Sequence, residues 1–274
     1  MRNRSMQMER VFGDATHPFE EKGYEVIEGF LDPMEVEHLL DFYRRHPLPG
    51  GRGFHASSHS PDPDYKRRIH AEVRSIVFPK ASVRIRGVRP VTSSYTVKEP
   101  GPESFFDFHL DWSMVDEHHH RSLTIWIPLT NTHEGNGRIS VLESSHALGH
   151  TYRAGPGLYL FAEDASVWSK RFVRRDLDMA AGDALIYDHR IFHGSLPNMG
   201  EKPRIALNHV LLPSEVDSYH YTMCGDRELV VHHVDDDFYN RYAIGTMPDD
   251  VEEVDRIRLP HPHVTQDVVN RLQR

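Results

Sequence analysis

Between residues 82 and 212 the chain alternates apolar and polar residues in short runs separated by turn formers. In extended backbone successive side chains point to opposite faces, so each such run can bury one side and wet the other. The runs are Ser82–Val88, Val91–Val97, Ser122–Leu129, Ile139–Leu142, Leu158–Phe161, Ser166–Val173, Asp183–Tyr187 and Arg204–Leu212. Short strands in this density, with turns between them instead of helices, predict an antiparallel sandwich or barrel and exclude βαβ units.

The flanks read differently. Gly23 to Phe30 alternates as one more short strand. Asp32-Pro33 then offers a helix N-cap followed by proline at the first helical position, and Val36, Leu39, Leu40 and Tyr43 continue at helical spacing until Pro47 and Pro49. A second helix is expected over 65–78, where Ile69, Val73, Ile76 and Val77 form a stripe. Beyond residue 212 the strand rhythm fades and acidic residues gather, which predicts an appended segment with one or two helices. The expectation is a mainly β single domain over 1–274, with its core at 82–212, decoration at 1–81 and an extension at 213–274.

Charge narrows the partners. Lys+Arg 32 against Asp+Glu 41 gives −9, which argues against nucleic acid and against an anionic membrane surface. One cysteine, Cys224, excludes an intramolecular disulfide. The N-terminus has no apolar run of signal-peptide length, and no window approaches a membrane helix. The expected setting is soluble and cytoplasmic, with a small-molecule substrate.

One stretch carries candidate chemistry: Phe105 to Trp112, which holds His109 and Asp111 two residues apart. On a strand both point the same way. A third ligand candidate is His193, in Ile-Phe-His-Gly-Ser. Two histidines and one carboxylate with open positions suit non-haem Fe(II) oxygen chemistry. Arg204 opens the last strand, shares a face with Ala206 and Asn208, and can grip a carboxylate with its fork of donors.

Taken together, His109-x-Asp111, Trp126 in Thr-Ile-Trp-Ile-Pro, Gly182-Asp183, His193-Gly-Ser195 and Arg204 resemble the phytanoyl-CoA dioxygenase family over residues 20 to 212. The resemblance implies a double-stranded β-helix (jelly roll) and an enzyme using Fe(II), 2-oxoglutarate and O2. It implies that His109, Asp111 and His193 hold iron, and that Arg204, helped by Ser195, binds the distal carboxylate of 2-oxoglutarate. Trp126 and Phe106 match positions lining the cosubstrate pocket. The products would be succinate, CO2 and an oxidised substrate. Halogenating relatives lack the carboxylate, so Asp111 points to hydroxylation or another oxidation. The chain departs from the family at Glu143-Ser144-Ser145-His146, where a glycine is usual, and that puts the turn geometry in question.

For the substrate, Tyr95, Lys98, Trp112, Ser113 and Asn208 stand on strands or edges near the expected barrel mouth, with Arg84 and Arg86 not far off. Charged groups there would suit a polar or carboxylated metabolite, although Arg84 and Arg86 read equally well as the wet face of a strand. The 50–66 and 113–121 loops are long enough to close over a ligand. His118-His119-His120 reads as a solvated loop, and His133, His146, His150 and His189 as structural histidines. Ser145 lacks a nucleophile elbow, and the glycines at 50–53 lack the Lys-Ser/Thr of a phosphate loop. Two other functions stay open at this point. One is a cupin-like jelly roll that binds metal or ligand without oxygen chemistry, and the other is a zinc hydrolase, for which no general base stands out.

Overall fold

The computed structural model describes residues 17–48, 50–148, 152–154, 172–225, 227–246 and 249–259. Its first elements are a short helix α1 (Pro18–Lys22), strand β1 (Tyr24–Ile27) and helix α2 (Pro33–Arg45). Asp32 caps α2 by accepting from the Met34 and Glu35 N–H groups, and Glu35 accepts from the Asp32 N–H in return, a complete capping box. After β2 (Phe54–Ala56) comes α3 (Pro63–Arg84), longer at both ends than the apolar stripe predicts. Asp62 caps it and Pro63 occupies its first position. Pro79 is tolerated inside because it and Ser75, whose carbonyl loses its bond, both lie on the exposed face. Ile69, Val73, Val77 and Ala81 form an unbroken buried row that carries the helix onward. The expected strand at Ser82–Val88 is therefore absent: Ser82–Arg84 closes α3, and both Arg84 and Arg86 are exposed.

The strands that follow are β3 (Val88–Lys98), β4 (Phe106–His109), β5 (Leu123–Pro128), β6 (Ile139–Leu142), β7 (Arg174–Leu177), β8 (Ala184–Asp188), β9 (His193–Ser195) and β10 (Arg204–Pro213). The expected strand Leu158–Phe161 lies outside the described residues, as does Ser166–Val173 up to residue 171. A six-stranded sheet runs β1-β8-β5-β10-β3-β2 and a four-stranded sheet runs β4-β9-β6-β7, with antiparallel pairing throughout. This is the jelly roll.

Alternation decides what each face does. Leu123, Ile125 and Ile127 of β5, Ala184 and Ile186 of β8, and Leu207 and Leu211 of β10 pack outward onto Leu39 of α2 and Ile69, Val73 and Val77 of α3. The intervening residues Trp126, Leu185, Tyr187 and Ala206 face inward and meet Ile139 and Val141 of β6. Each large apolar side chain so buried contributes about 1.5–3 kcal/mol. The larger sheet is thus held rigidly from behind while its inner face looks at the smaller sheet.

The turn after β6 carries a serine at a position that favours glycine. Ser144 adopts φ +67, the one non-glycine in the left-handed region among the described residues, and donates to the Glu21 carbonyl. The C-terminal extension holds strands that its sequence did not announce. Among its described residues β11 (Ser218–Cys224), β12 (Glu228–Val234) and β13 (Glu252–Arg258) form a three-stranded antiparallel sheet, beside the one-turn helix α4 (Phe238–Arg241). Charge hid the last strand: β13 is almost wholly exposed and joins β12 partly through Arg256, which ion-pairs with Glu228 across the strands. No helix among the described residues is long and apolar enough to cross a membrane.

Candidate active site

β4 and β9 pair so that His109 stands directly opposite His193 and Phe106 opposite Ser195, with a bulge between them. Gly194 makes this approach possible, since a Cβ there would sit 2.9 Å from the Phe108 nitrogen. The two imidazoles lie 4.2 Å apart between ring centroids. His109 and His193 each donate from Nδ1 to a backbone carbonyl, of Asp107 at 2.9 Å and of Ile191 at 3.1 Å. That fixes the tautomer and leaves both Nε2 lone pairs aimed at one point, the usual support for a metal-bound histidine.

Asp111 lies past the end of β4 and is positioned by other means. Its N–H donates to the His189 carbonyl and its own carbonyl accepts from Arg153 Nε at 2.5 Å. Arg153 is in turn locked to Glu117 by a fully buried two-pronged ion pair. Asp111 Oδ1 then stands 3.8 Å from His109 Nε2 and 3.7 Å from His193 Nε2, while Oδ2 accepts from Thr124 Oγ1 at 3.2 Å and from the Tyr187 hydroxyl at 3.0 Å. The three ligand atoms lie within 4.8 Å of one another. Burial alone would raise the Asp111 carboxyl, but the surrounding His193, His189 and His109 rings and the Tyr187 hydroxyl outweigh it and draw it down to about 2. Burial, helped by His193, pulls His109 down to about 4. At neutral pH the site therefore holds two neutral imidazoles and one carboxylate, the protonation states that a divalent metal requires. One oxygen and two nitrogen donors on one side, with the opposite side open to a cavity, fit iron.

The same cavity, about 250 Å³ in volume, is lined by all three of these residues and by Phe106, Trp126, Ser195, Arg204 and Asn208. Arg204 is 3 % exposed, lies over the Trp126 ring at 5.3 Å and donates Nη1 to the carbonyl of Gly137, a residue at φ +72. Its Nε has no partner, and no carboxylate among the described residues pairs with it. Burial depresses it to about 9. Lys98 is its cross-strand neighbour. An uncompensated cation in this setting is costly, and an anionic ligand relieves the cost. The donors present fit a keto-diacid held by its far carboxylate.

Three of the residues expected near the substrate go elsewhere. Tyr95 occupies an outward position on β3 and donates to the Leu39 carbonyl at 2.8 Å, inside the helix-side core. Lys98 is fully buried, its ammonium spent on the carbonyls of Ser104, Ser195 and Leu196. Burial and the neighbouring Arg204 bring it to about 7. Ser113 accepts from the Arg153 N–H at 3.0 Å. Trp112 and Asn208 do line the cavity. Of the proposed covering loops, 50–66 brings Phe54, Ala56, Ser58 and His59 to it. His189 is held by Thr124 and the Trp112 carbonyl. His150 lies outside the described residues.

Sequence reasoning missed Tyr187, Thr124 and Arg153 around Asp111. The first two were findable, since they occupy inward positions of strands whose alternate residues, Leu123, Ile125 and Ile127 or Ala184 and Ile186, form an aliphatic outward row. Arg153 had no such signal.

A family model for phytanoyl-CoA dioxygenase matches residues 19–206. Solved structures share the fold at low identity. The epimerase SnoN from nogalamycin biosynthesis, in complex with Fe3+, alpha-ketoglutarate and nogalamycin RO, superposes with a TM-score of 0.57 at 18 % identity over 92 % of this chain and 94 % of its own. The carbocyclase SnoK from the same biosynthesis gives 0.55 at 20 % identity, covering 75 % of this chain and 85 % of its own. EvdO2 from Micromonospora carbonacea var. aurantiaca, complexed with 2-oxoglutarate, gives 0.53 at 18 % identity, covering 75 % of this chain and 94 % of its own. No curated protein matches the sequence.

Proposed function

This chain belongs to the phytanoyl-CoA dioxygenase family and is a non-haem Fe(II)- and 2-oxoglutarate-dependent enzyme, and from that premise we propose that it oxidises a C–H bond of a small organic molecule, with hydroxylation as the outcome. Bound iron, with 2-oxoglutarate and O2, supplies the oxidising power. The chain's own residues do the rest. His109, Asp111 and His193 would hold the metal. Arg204, backed by Trp126 and lining the same cavity as Ser195, would bind the far carboxylate of the cosubstrate. Tyr187 and Thr124 keep Asp111 Oδ2 occupied, which leaves Oδ1 as the atom facing the two imidazoles.

One observation carries the reading: a buried arginine with no anion beside it among the described residues lines the same cavity as two tautomer-locked histidines and a carboxylate. A protein that only bound metal would have no use for that arginine, and burying it would merely destabilise the fold. Asp111 fills the position that a halide would need, which favours oxygen transfer. Two neighbours with this fold are named as an epimerase and a carbocyclase, both alpha-ketoglutarate dependent.

The test is anaerobic addition of Fe(II) and then 2-oxoglutarate, followed by O2. A visible charge-transfer band and succinate release are expected from the wild type, and neither from Asp111→Ala or His193→Ala. Full turnover in His193→Ala would end this reading.

A further inference from the structure

The family match stops at residue 206, yet the cavity does not. Its outer part is walled by Tyr239, Tyr242 and Ile244 from the segment around α4, facing Trp112 and Val210. We propose that this segment is the substrate wall, and that it selects a neutral molecule with a flat unsaturated ring whose hydroxyl group donates to Asn208 Oδ1. This rests on the oxygenase reading above and adds a substrate class to it.

The wall is apolar although it is built from tyrosines. Tyr239 donates its hydroxyl to the Tyr219 carbonyl at 2.5 Å and Tyr242 donates to the Thr246 carbonyl at 2.8 Å, so both hydroxyl groups are committed within the C-terminal segment. What these side chains offer the cavity is ring surface, which prefers the face or edge of another ring. The wall is also held in place. Lys66 of α3 donates to the Tyr242 carbonyl, Arg67 pairs with Asp237, and Asn240 bridges the Val91 carbonyl and the Thr92 hydroxyl.

The polar lining is mostly hydroxyl groups, several of them committed: Thr92 to Asn240, and Ser93 to His209 and His70. Asn208 projects inward from β10, level with Trp126 on β5, and its Oδ1 is buried without a partner, as is Thr96 Oγ1. A buried unpaired amide oxygen costs free energy until a ligand hydroxyl donates to it.

Charge sets the remaining limit. Among the described residues that line the cavity, only Asp111 and Arg204 are Asp, Glu, Lys or Arg, and the metal and cosubstrate claim both. A carboxylated or cationic substrate would be desolvated with no counter-charge. Lys98 is turned onto carbonyls, and Arg84 and Arg86 are exposed, outside the described lining, in keeping with their reading as wet-face residues. At about 250 Å³ the cavity falls below the ~300–1,000 Å³ of drug-sized ligand sites. A volume of that size has room for one ring system beside the cosubstrate.

The test is calorimetric titration of the full chain loaded with Ni(II), an inert stand-in for iron, and saturating 2-oxoglutarate. The probes are 1-naphthol and 1-naphthoate, which differ in one hydroxyl against one carboxylate. Saturable 1-naphthol binding is expected, with 1-naphthoate weaker by about tenfold or more. Tyr239→Ala, Ile244→Ala and Asn208→Ala should each weaken 1-naphthol by about tenfold while 2-oxoglutarate affinity stays intact. Ile244→Ala removes only part of one partly exposed side chain, so it reports on the wall even if Tyr239→Ala fails to fold. With 2-oxoglutarate bound, the absence of 1-naphthol binding, equal affinity for the two probes, or indifference to Ile244→Ala overturns this proposal and leaves the oxygenase reading standing. Failure of Ni(II) and 2-oxoglutarate to bind at all overturns the oxygenase reading instead.

Discussion

His109 and His193, distant in the chain, are direct partners across the β4–β9 pair, and each has its Nδ1 tied to a backbone carbonyl two residues before it. The same i to i−2 bond on both strands turns two unrelated segments into matching halves of one donor set. Asp111 has no such symmetry, and its placement depends on groups from β5, β8 and the Arg153–Glu117 pair.

That dependence can be measured at Tyr187. Removing its hydroxyl leaves Asp111 Oδ2 with Thr124 alone, and the carboxylate is freer to rotate. Tyr187→Phe is expected to weaken metal binding by about tenfold, at the lower end of outer-shell effects. Anaerobic titration with Fe(II) or Co(II) checks this, and unchanged affinity would show that Tyr187 does not position Asp111.

Arg204 should give opposite signs in two assays. Arg204→Met removes the fork that holds the cosubstrate, so the KM for 2-oxoglutarate should rise by about 100-fold, the equivalent of roughly 3 kcal/mol for charge-assisted bonds. The same change removes a buried cation that has no counter-ion until ligand arrives, so the ligand-free protein should melt higher than wild type. Differential scanning calorimetry with and without 2-oxoglutarate separates the two effects. Equal KM values in mutant and wild type would exclude Arg204 from cosubstrate binding.

Ser144 predicts a stabilising substitution. A non-glycine in the left-handed region costs about 1–2 kcal/mol. The lost hydroxyl bond to Glu21 lies at an exposed position and offsets little of this. Ser144→Gly should gain about 1 kcal/mol and raise Tm by about 2–3 °C. A lower Tm would mean that the hydroxyl bond matters more than the backbone strain.

Acid should destabilise the fold before it titrates the carboxylates. Burial holds His220 and His209 at about 3 and His70 at about 4, against 6.5 for the free group. Between pH 6.5 and about 4 the unfolded chain binds protons that the folded chain refuses, so stability falls as pH falls, by on the order of 1 kcal/mol per pH unit for each residue. His220 is the clearest case: both ring nitrogens are buried without partners, among Trp112, Phe238, Tyr239 and Tyr242. His220→Phe should keep that packing and flatten the slope, read by urea unfolding at a series of pH values. A slope identical to wild type would exclude His220 as a contributor.

Most of the scaffold was legible because its causes are local. The cap at Asp32, the helical spacing of Val36, Leu39 and Leu40, and the alternation in β5, β8 and β10 each lie within a few residues of what they specify. Errors came where a local signal pointed the wrong way. Pro79 reads as a helix stop but lies on the wet face of α3. The acidic stretch that holds Glu252 and Glu253 reads as part of an appended segment without strand rhythm, yet an exposed edge strand tolerates such charges because only its backbone has to pair.

What the sequence determined alone was the inventory: His-x-Asp on a strand, a second histidine before Gly-Ser, and an arginine at the head of an inward-facing row. Tertiary structure alone decided which of those groups meet, that Lys98 and Tyr95 are turned away, and that Tyr239, Tyr242 and Ile244 close the far side of the cavity. The physical reason is range. Capping and alternation act over one turn or two residues, whereas desolvation and counter-charge depend on whatever the fold brings near, from any distance along the chain.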